Sequence, residues 1–98
     1  MYLLQVTLGS AATPILASAV LPSSVQAFSI LVIQNNAAHV VRVGDSSVSS
    51  TKGIALAVGS TTPQPPFILT PSLQFTGDLR EVYLFGTAAD VVDILVCP

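Results

Sequence analysis

The stretch Val40-Val-Arg-Val-Gly-Asp-Ser-Ser-Val-Ser-Ser-Thr-Lys-Gly-Ile-Ala-Leu56 reads as a strand over 40–43, a polar loop over 44–52 and a second short strand over 53–56. Val41 and Val43 point one way, Val40 and Arg42 the other, which is the two-residue period of a half-buried strand. The loop holds four serines and a threonine, with Val48 as its one apolar anchor. The same rhythm of short strand and polar turn continues on both sides, and that decides the fold class.

Upstream, Tyr2 to Leu8 alternates, with Leu4, Val6 and Leu8 on one face and Leu3, Gln5 and Thr7 on the other. Gly9-Ser10 ends it. Pro14 and Pro22 frame an Ala-rich stretch whose Ile15 and Val20 are too far apart for a helical stripe, so it reads as short extended segments near Ile15-Leu16 and Val20. Val25 to Gln34 is the strongest strand: Phe28, Ile30 and Val32 fill one phase and Leu31 and Ile33 the other, as in a strand covered on both faces. Asn35-Asn-Ala-Ala38 supplies a turn, because Asn tolerates left-handed backbone. His39 to Val43 then returns as its hairpin partner.

Downstream, Gly59-Ser-Thr-Thr-Pro-Gln-Pro-Pro66 is an exposed, extended connection, since three prolines fix φ and remove donors. Phe67-Ile-Leu69 and Leu73-Gln-Phe75 are brief strands split by Pro71, and Gly77-Asp78 marks a turn. Val82-Tyr-Leu-Phe85 and Val91 to Val96 make a closing hairpin around Gly86 to Asp90. About eight short strands at roughly 8–12-residue spacing predict an all-β chain, a single small antiparallel β-sandwich or barrel over residues 1–98.

Composition narrows the setting. The chain has 98 residues, 51% hydrophobic and 8% charged, where about 25% charged is usual for a soluble domain. A chain this short buries only about 60–65% of the surface that it exposes unfolded. Part of its weakly polar surface is therefore expected to be covered by other chains. The three basic residues, Arg42, Lys52 and Arg80, are dispersed and the net charge is −2, so no nucleic-acid partner is expected. The longest apolar run, Phe28 to Ile33, is far short of the roughly 20 residues of a membrane span. Ala17-Ser-Ala19 has the small residues of a cleavage site, but no basic n-region or unbroken apolar run precedes it, so a signal peptide is not expected. The single Cys97 has no intrachain partner and reads as a small apolar residue ending the last strand.

Chemistry-bearing residues are few. Gly44-Asp45-Ser46 resembles the start of the nucleophile block of GDSL-type hydrolases, yet a downstream His–Asp pair to take the serine proton is missing from the sequence. The only histidine, His39, lies upstream. Asp45 then reads as an Asx-turn residue that caps backbone donors. His39 lacks a second His or Cys at metal-ligand spacing, and Asp78, Asp90 and Asp93 form no compact calcium loop. Asp90 reads as a turn residue, Asp93 as an outward strand position and Arg80-Glu81 as a solvated pair. No cofactor, metal or catalytic residue is expected, and the chain reads as not an enzyme.

Arg42-Val-Gly-Asp-Ser-Ser-Val-Ser-Ser-Thr-Lys-Gly-Ile54 resembles a block of small structural proteins of tailed-bacteriophage virions. Asp78-Leu-Arg-Glu-Val-Tyr-Leu-Phe-Gly86, followed by Ala89-Asp-Val-Val-Asp-Ile-Leu-Val96, is similar to how such chains end. The likeness spans about residues 30–96. It implies a β-sandwich, with the jelly roll as one form, that decorates or cements a capsid in the virion. It also implies contacts with the major capsid protein or other virion proteins. Copies of the chain itself are further expected partners, a homotrimer first and a dimer second. Arg42, Asp45 and Lys52 are the candidate subunit-contact residues of the 44–52 loop. A tail, baseplate or fibre-attachment component is the alternative, and a carbohydrate-binding β-sandwich is a third reading.

Overall fold

Alternation decides which side chains turn inward, and the computed structural model, which describes residues 1–15, 27–72 and 77–98, follows it closely. The strands are β1 (Tyr2–Thr7), β2 (Thr13–Pro14), β3 (Ile30–Asn35), β4 (Val41–Gly44), β5 (Ile54–Leu56), β6 (Phe67–Leu69), β7 (Tyr83–Phe85) and β8 (Val91–Cys97). One 3-10 turn, Leu79–Glu81, precedes β7. The strands build two antiparallel four-stranded sheets, ordered β1-β8-β3-β6 and β2-β7-β4-β5. First pairs with last, second with seventh, third with sixth and fourth with fifth. That nested pairing over two sheets is a jelly roll.

The core lies between the sheets. Leu4, Val6, Leu31, Ile33, Val92, Ile94 and Val96 come from the first sheet. Val41, Val43 and Leu84 meet them from the second, with Ile15, Leu79 and Val82 closing one side. Each buried aliphatic side chain contributes about 1.5–3 kcal/mol relative to exposure, so this cluster dominates the stability of the fold.

The sequence-adjacent hairpins fare unevenly. β4 and β5 do pair, Val41 with Leu56 and Val43 with Ile54. β3 and β4 do not: β3 sits between β8 and β6, and β4 between β7 and β5. Residues 36–40 thus carry the chain from one sheet to the other instead of turning a hairpin. The expected closing hairpin fails in the same way, because β7 pairs with β4 and β2, and β8 with β1 and β3. The strand expected from Val25 starts at Ile30, with Ala27 forming an isolated bridge to Asp78. The segments expected near Leu16, Val20 and 73–75 lie outside the described residues, while Ile15 is buried and donates its N–H to Val82 O at 3.1 Å.

Where β3 ends and the chain changes sheet, Asn35 turns its side chain inward. Its Nδ2 donates to the carbonyls of His39, Leu56 and Ala57 at 3.0–3.1 Å, and its Oδ1 accepts from Ala37 N at 2.9 Å. Gly59 N donates to Ala37 O, and a Cβ at position 59 would run into the Asn35 carbonyl oxygen. Only glycine permits this approach.

Asn35→Ala is expected to lower the unfolding free energy by about 3 kcal/mol, since buried carbonyls and an N–H lose their partner. Asn35→Asp should cost more at neutral pH, because a carboxylate would face three carbonyl oxygens. The exposed neighbour change Asn36→Ala should cost well under half as much as Asn35→Ala. Urea denaturation of the three variants checks the ranking.

Candidate functional site

The 45–53 loop owes its shape to two anchors. Asp45 Oδ1 accepts from Ser47 N at 2.8 Å and from Ser47 Oγ at 2.5 Å, and Val48 N donates to Asp45 O. That is the Asx turn expected of it. The Ser47 hydroxyl bond, then the Ser47 backbone bond, hold the Asp45 carboxyl below its ordinary range, and the Lys52 charge adds to this. Val48 is buried between Gly44 and Gly53, and Gly53 takes a φ of +130° that favours glycine. Arg42 Nη1 donates to Gly53 O at 3.0 Å, closing the loop onto β4. Of the three charged candidates, Arg42 and Asp45 therefore order the loop, and Lys52 is left exposed at its tip.

Ser46 follows β4 and His39 precedes it, so the four residues of β4 separate them by about 13 Å at ~3.3 Å per residue. His39 Nδ1 lies 2.7 Å from Asp90 Oδ2, binding one crossover to the other at the far end of β4. The serine and the histidine–aspartate pair are thus kept apart. Asp93 is bound from two sides, by Gln5 at 2.9 Å and Asn36 at 2.5 Å. Arg80 does not pair with Glu81 as the sequence suggested. Its guanidinium forks onto Asp78 at 2.6–3.1 Å across the 3-10 turn. This bond holds the Asp78 carboxyl below its usual range and raises the Arg80 guanidinium. Among the described residues, no three His, Cys, Asp or Glu side chains gather as a metal site.

Two surfaces remain with interaction character. The first is an open groove of about 510 Å³ between β6 of one sheet and β4–β5 of the other. Val43, Ile54, Phe67 and Leu69 line it, with Asp45 and Arg80 among its polar residues. The second is the outer face of the β1-β8-β3-β6 sheet. Register places Leu3 opposite Leu95, Leu95 opposite Val32 and Val32 opposite Ile68, so one apolar row crosses all four strands. Cys97 and Ile30 pair in the next row, beside Met1. Exposure is 70% at Leu3, 59% at Ile68, 42% at Ile30 and 79% at Met1. The row on the other side, Gln5–Asp93–Gln34, is polar: Gln5 donates to Asp93, and Gln34 donates to the Gln64 carbonyl.

The charges of the sequence point to the 44–52 loop instead of this face. Its signal was present in β3, where both phases are apolar, but the row appears only once the register of four strands is known. No family model, curated protein or solved structure matches the chain.

The two carboxyls give a pH signature. Both folded-state pKa values are depressed, so the unfolded chain takes up protons first as the pH falls. Their stabilisation is present above the ordinary Asp value of about 3.9 and is lost as the pH drops through the lower folded values. Asp78→Asn and Asp45→Asn should each flatten the melting temperature profile below pH 4, and thermal melts from pH 2 to 7 test this. Val48→Ala, which empties the loop's anchor, should cost about 2 kcal/mol at any pH in that range.

Proposed function

We propose that this chain is a non-enzymatic structural protein of a tailed-bacteriophage virion, decorating or cementing the capsid by bridging neighbouring subunits. The observation that carries the reading is the Leu3–Leu95–Val32–Ile68 row on the outer face of one sheet. A monomer rarely exposes a contiguous apolar patch beyond a few hundred Å², so a face of this kind suits a chain that works within an assembly. The jelly roll is compatible with it, since viral capsid domains use this architecture. The resemblance of residues 42–54 and 78–96 to virion structural proteins supplies the setting. Bridging needs at least two contact surfaces, and the groove beside β6 is a second one.

The groove also favours one other reading. Lectin domains share the jelly roll, and the groove's lining includes Phe67 and Tyr83 with Asp45, Arg80 and Glu81. Rings beside hydrogen-bonding groups are the elements of a carbohydrate site, and a glycan array tests for one directly.

Purified chain added to phage shells that lack it should co-sediment with them and raise their melting temperature. At a concentration of 100 times Kd the gain per bound site is about 2.7 kcal/mol. Purified tails serve as the parallel sample. Binding to tails alone would move the chain to the tail, and binding to neither would overturn the virion reading.

A further inference from the structure

We infer that the outer face of the β1-β8-β3-β6 sheet joins two copies of this chain face to face about a two-fold axis. The inference deepens the assembly reading by naming one partner, yet it is testable on the isolated chain without any shell.

Charge argues for a like partner. The three basic residues lie elsewhere: Arg42 on β4 of the other sheet, Lys52 in the 45–53 loop and Arg80 in the 3-10 turn. The one carboxylate on this face, Asp93, already accepts from Gln5 and Asn36. A face whose single charge is satisfied internally has nothing with which to select a charged partner, whereas its aliphatic row is complementary to itself. An isologous contact requires that self-complementarity.

Area sets how tightly two copies can hold. Strands of six, seven, six and three residues at ~4.8 Å spacing and ~3.3 Å per residue give a footprint of about 350 Å² per copy. With side-chain relief, two copies would cover somewhat under roughly 1,000 Å², the size of weak, transient contacts. Such an area fits a reversible dimer with Kd in the range of roughly 1–100 μM.

The polar row sets the direction. A two-fold axis parallel to the strands would stack the two Gln5–Asp93–Gln34 rows and bring the carboxylates together. An axis perpendicular to the strands, running between the Leu3–Leu95–Val32–Ile68 row and the Ile30–Cys97 row, packs each apolar row on the other and leaves the two polar rows at opposite ends, outside the contact. The sheets would then lie about 10 Å apart with strands near −30°, as in aligned sheet packing.

Sedimentation velocity of the purified chain from roughly 1 μM to 1 mM brackets this Kd range and should show a monomer–dimer equilibrium. Leu3→Lys and Ile68→Lys should each shift dimerisation at least tenfold to higher concentration, with circular dichroism and melting of the monomer unchanged. Val40→Lys, which alters an exposed residue outside this face, should leave the dimer intact. Leu3 and Ile68 sit on opposite edge strands, so sensitivity to both identifies the face and not the edge of β1. A wild-type chain that stays monomeric throughout, a trimer, or dimerisation lost only in Leu3→Lys would overturn the inference. Shell binding by the monomeric Ile68→Lys variant separates this contact from the virion reading: retained binding leaves the reading standing whatever the dimer result.

Discussion

One buried amide fixes where the jelly roll changes layers. Asn35 is the last residue of β3, and its period-2 position aims the side chain into the core beside Leu31 and Ile33. Among the described residues it is the only buried polar side chain. An amide there is costly unless it is fully bonded, and here the carbonyls of His39, Leu56 and Ala57 and the N–H of Ala37 meet it. Those partners belong to the crossover that leaves the first sheet and to the strand end and connection of the second. One side chain thus satisfies the backbone at the place where the chain changes layers. The amide orientation is set by its neighbours, since the oxygen faces a donor and the nitrogen faces acceptors. Gly59 completes the corner by letting a second segment lie against the Asn35 backbone.

From this corner follows the division of the surfaces. Once Asn35, Ile33 and Leu31 point inward, Gln34, Val32 and Ile30 must point outward, because successive side chains of a strand alternate. The register with β8 aligns them with Asp93, Leu95 and Cys97, and the register with β1 carries the same rows to Gln5 and Leu3. The polar and apolar rows of the outer face are therefore consequences of which side of β3 the core holds. A one-residue slip of β3 would bury Gln34 and expose Ile33, so register and surface character are specified together.

This also explains what could be read from the sequence. The β4–β5 unit was legible because everything that shapes it is local: Asp45 caps its own turn, Val48 anchors the loop, and Arg42 reaches only to Gly53. The alternation of β1 and the inward Val41 and Val43 were legible for the same reason. The β3–β4 and β7–β8 connections were misread as hairpins because Asn-Asn-Ala-Ala and Gly-Thr-Ala-Ala-Asp are good turn sequences. Turn chemistry reports a change of direction, not whether the next strand rejoins the same sheet. In nested pairing, strand 1 finds strand 8 and strand 3 finds strand 6, contacts of long sequence separation that leave no local mark. The Arg80–Asp78 fork was missed because a 3-10 turn, not a strand, brings residues two apart together.

The shape of the edges bears on how such a chain associates. β2 has two residues, and β5 and β6 have three each, too short to template much backbone pairing with another molecule. Among the described strands β1 is the one long edge, with six residues and no charge, so edge-to-edge extension of the sheet is the contact that competes with face-to-face packing. The outward apolar side chains decide between them. Extension through β1 would cover its backbone but leave Ile68, Val32 and Ile30 in water, because they lie across the sheet. Face-to-face packing covers the whole row at once, and hydrophobic stabilisation scales with the apolar area removed from water.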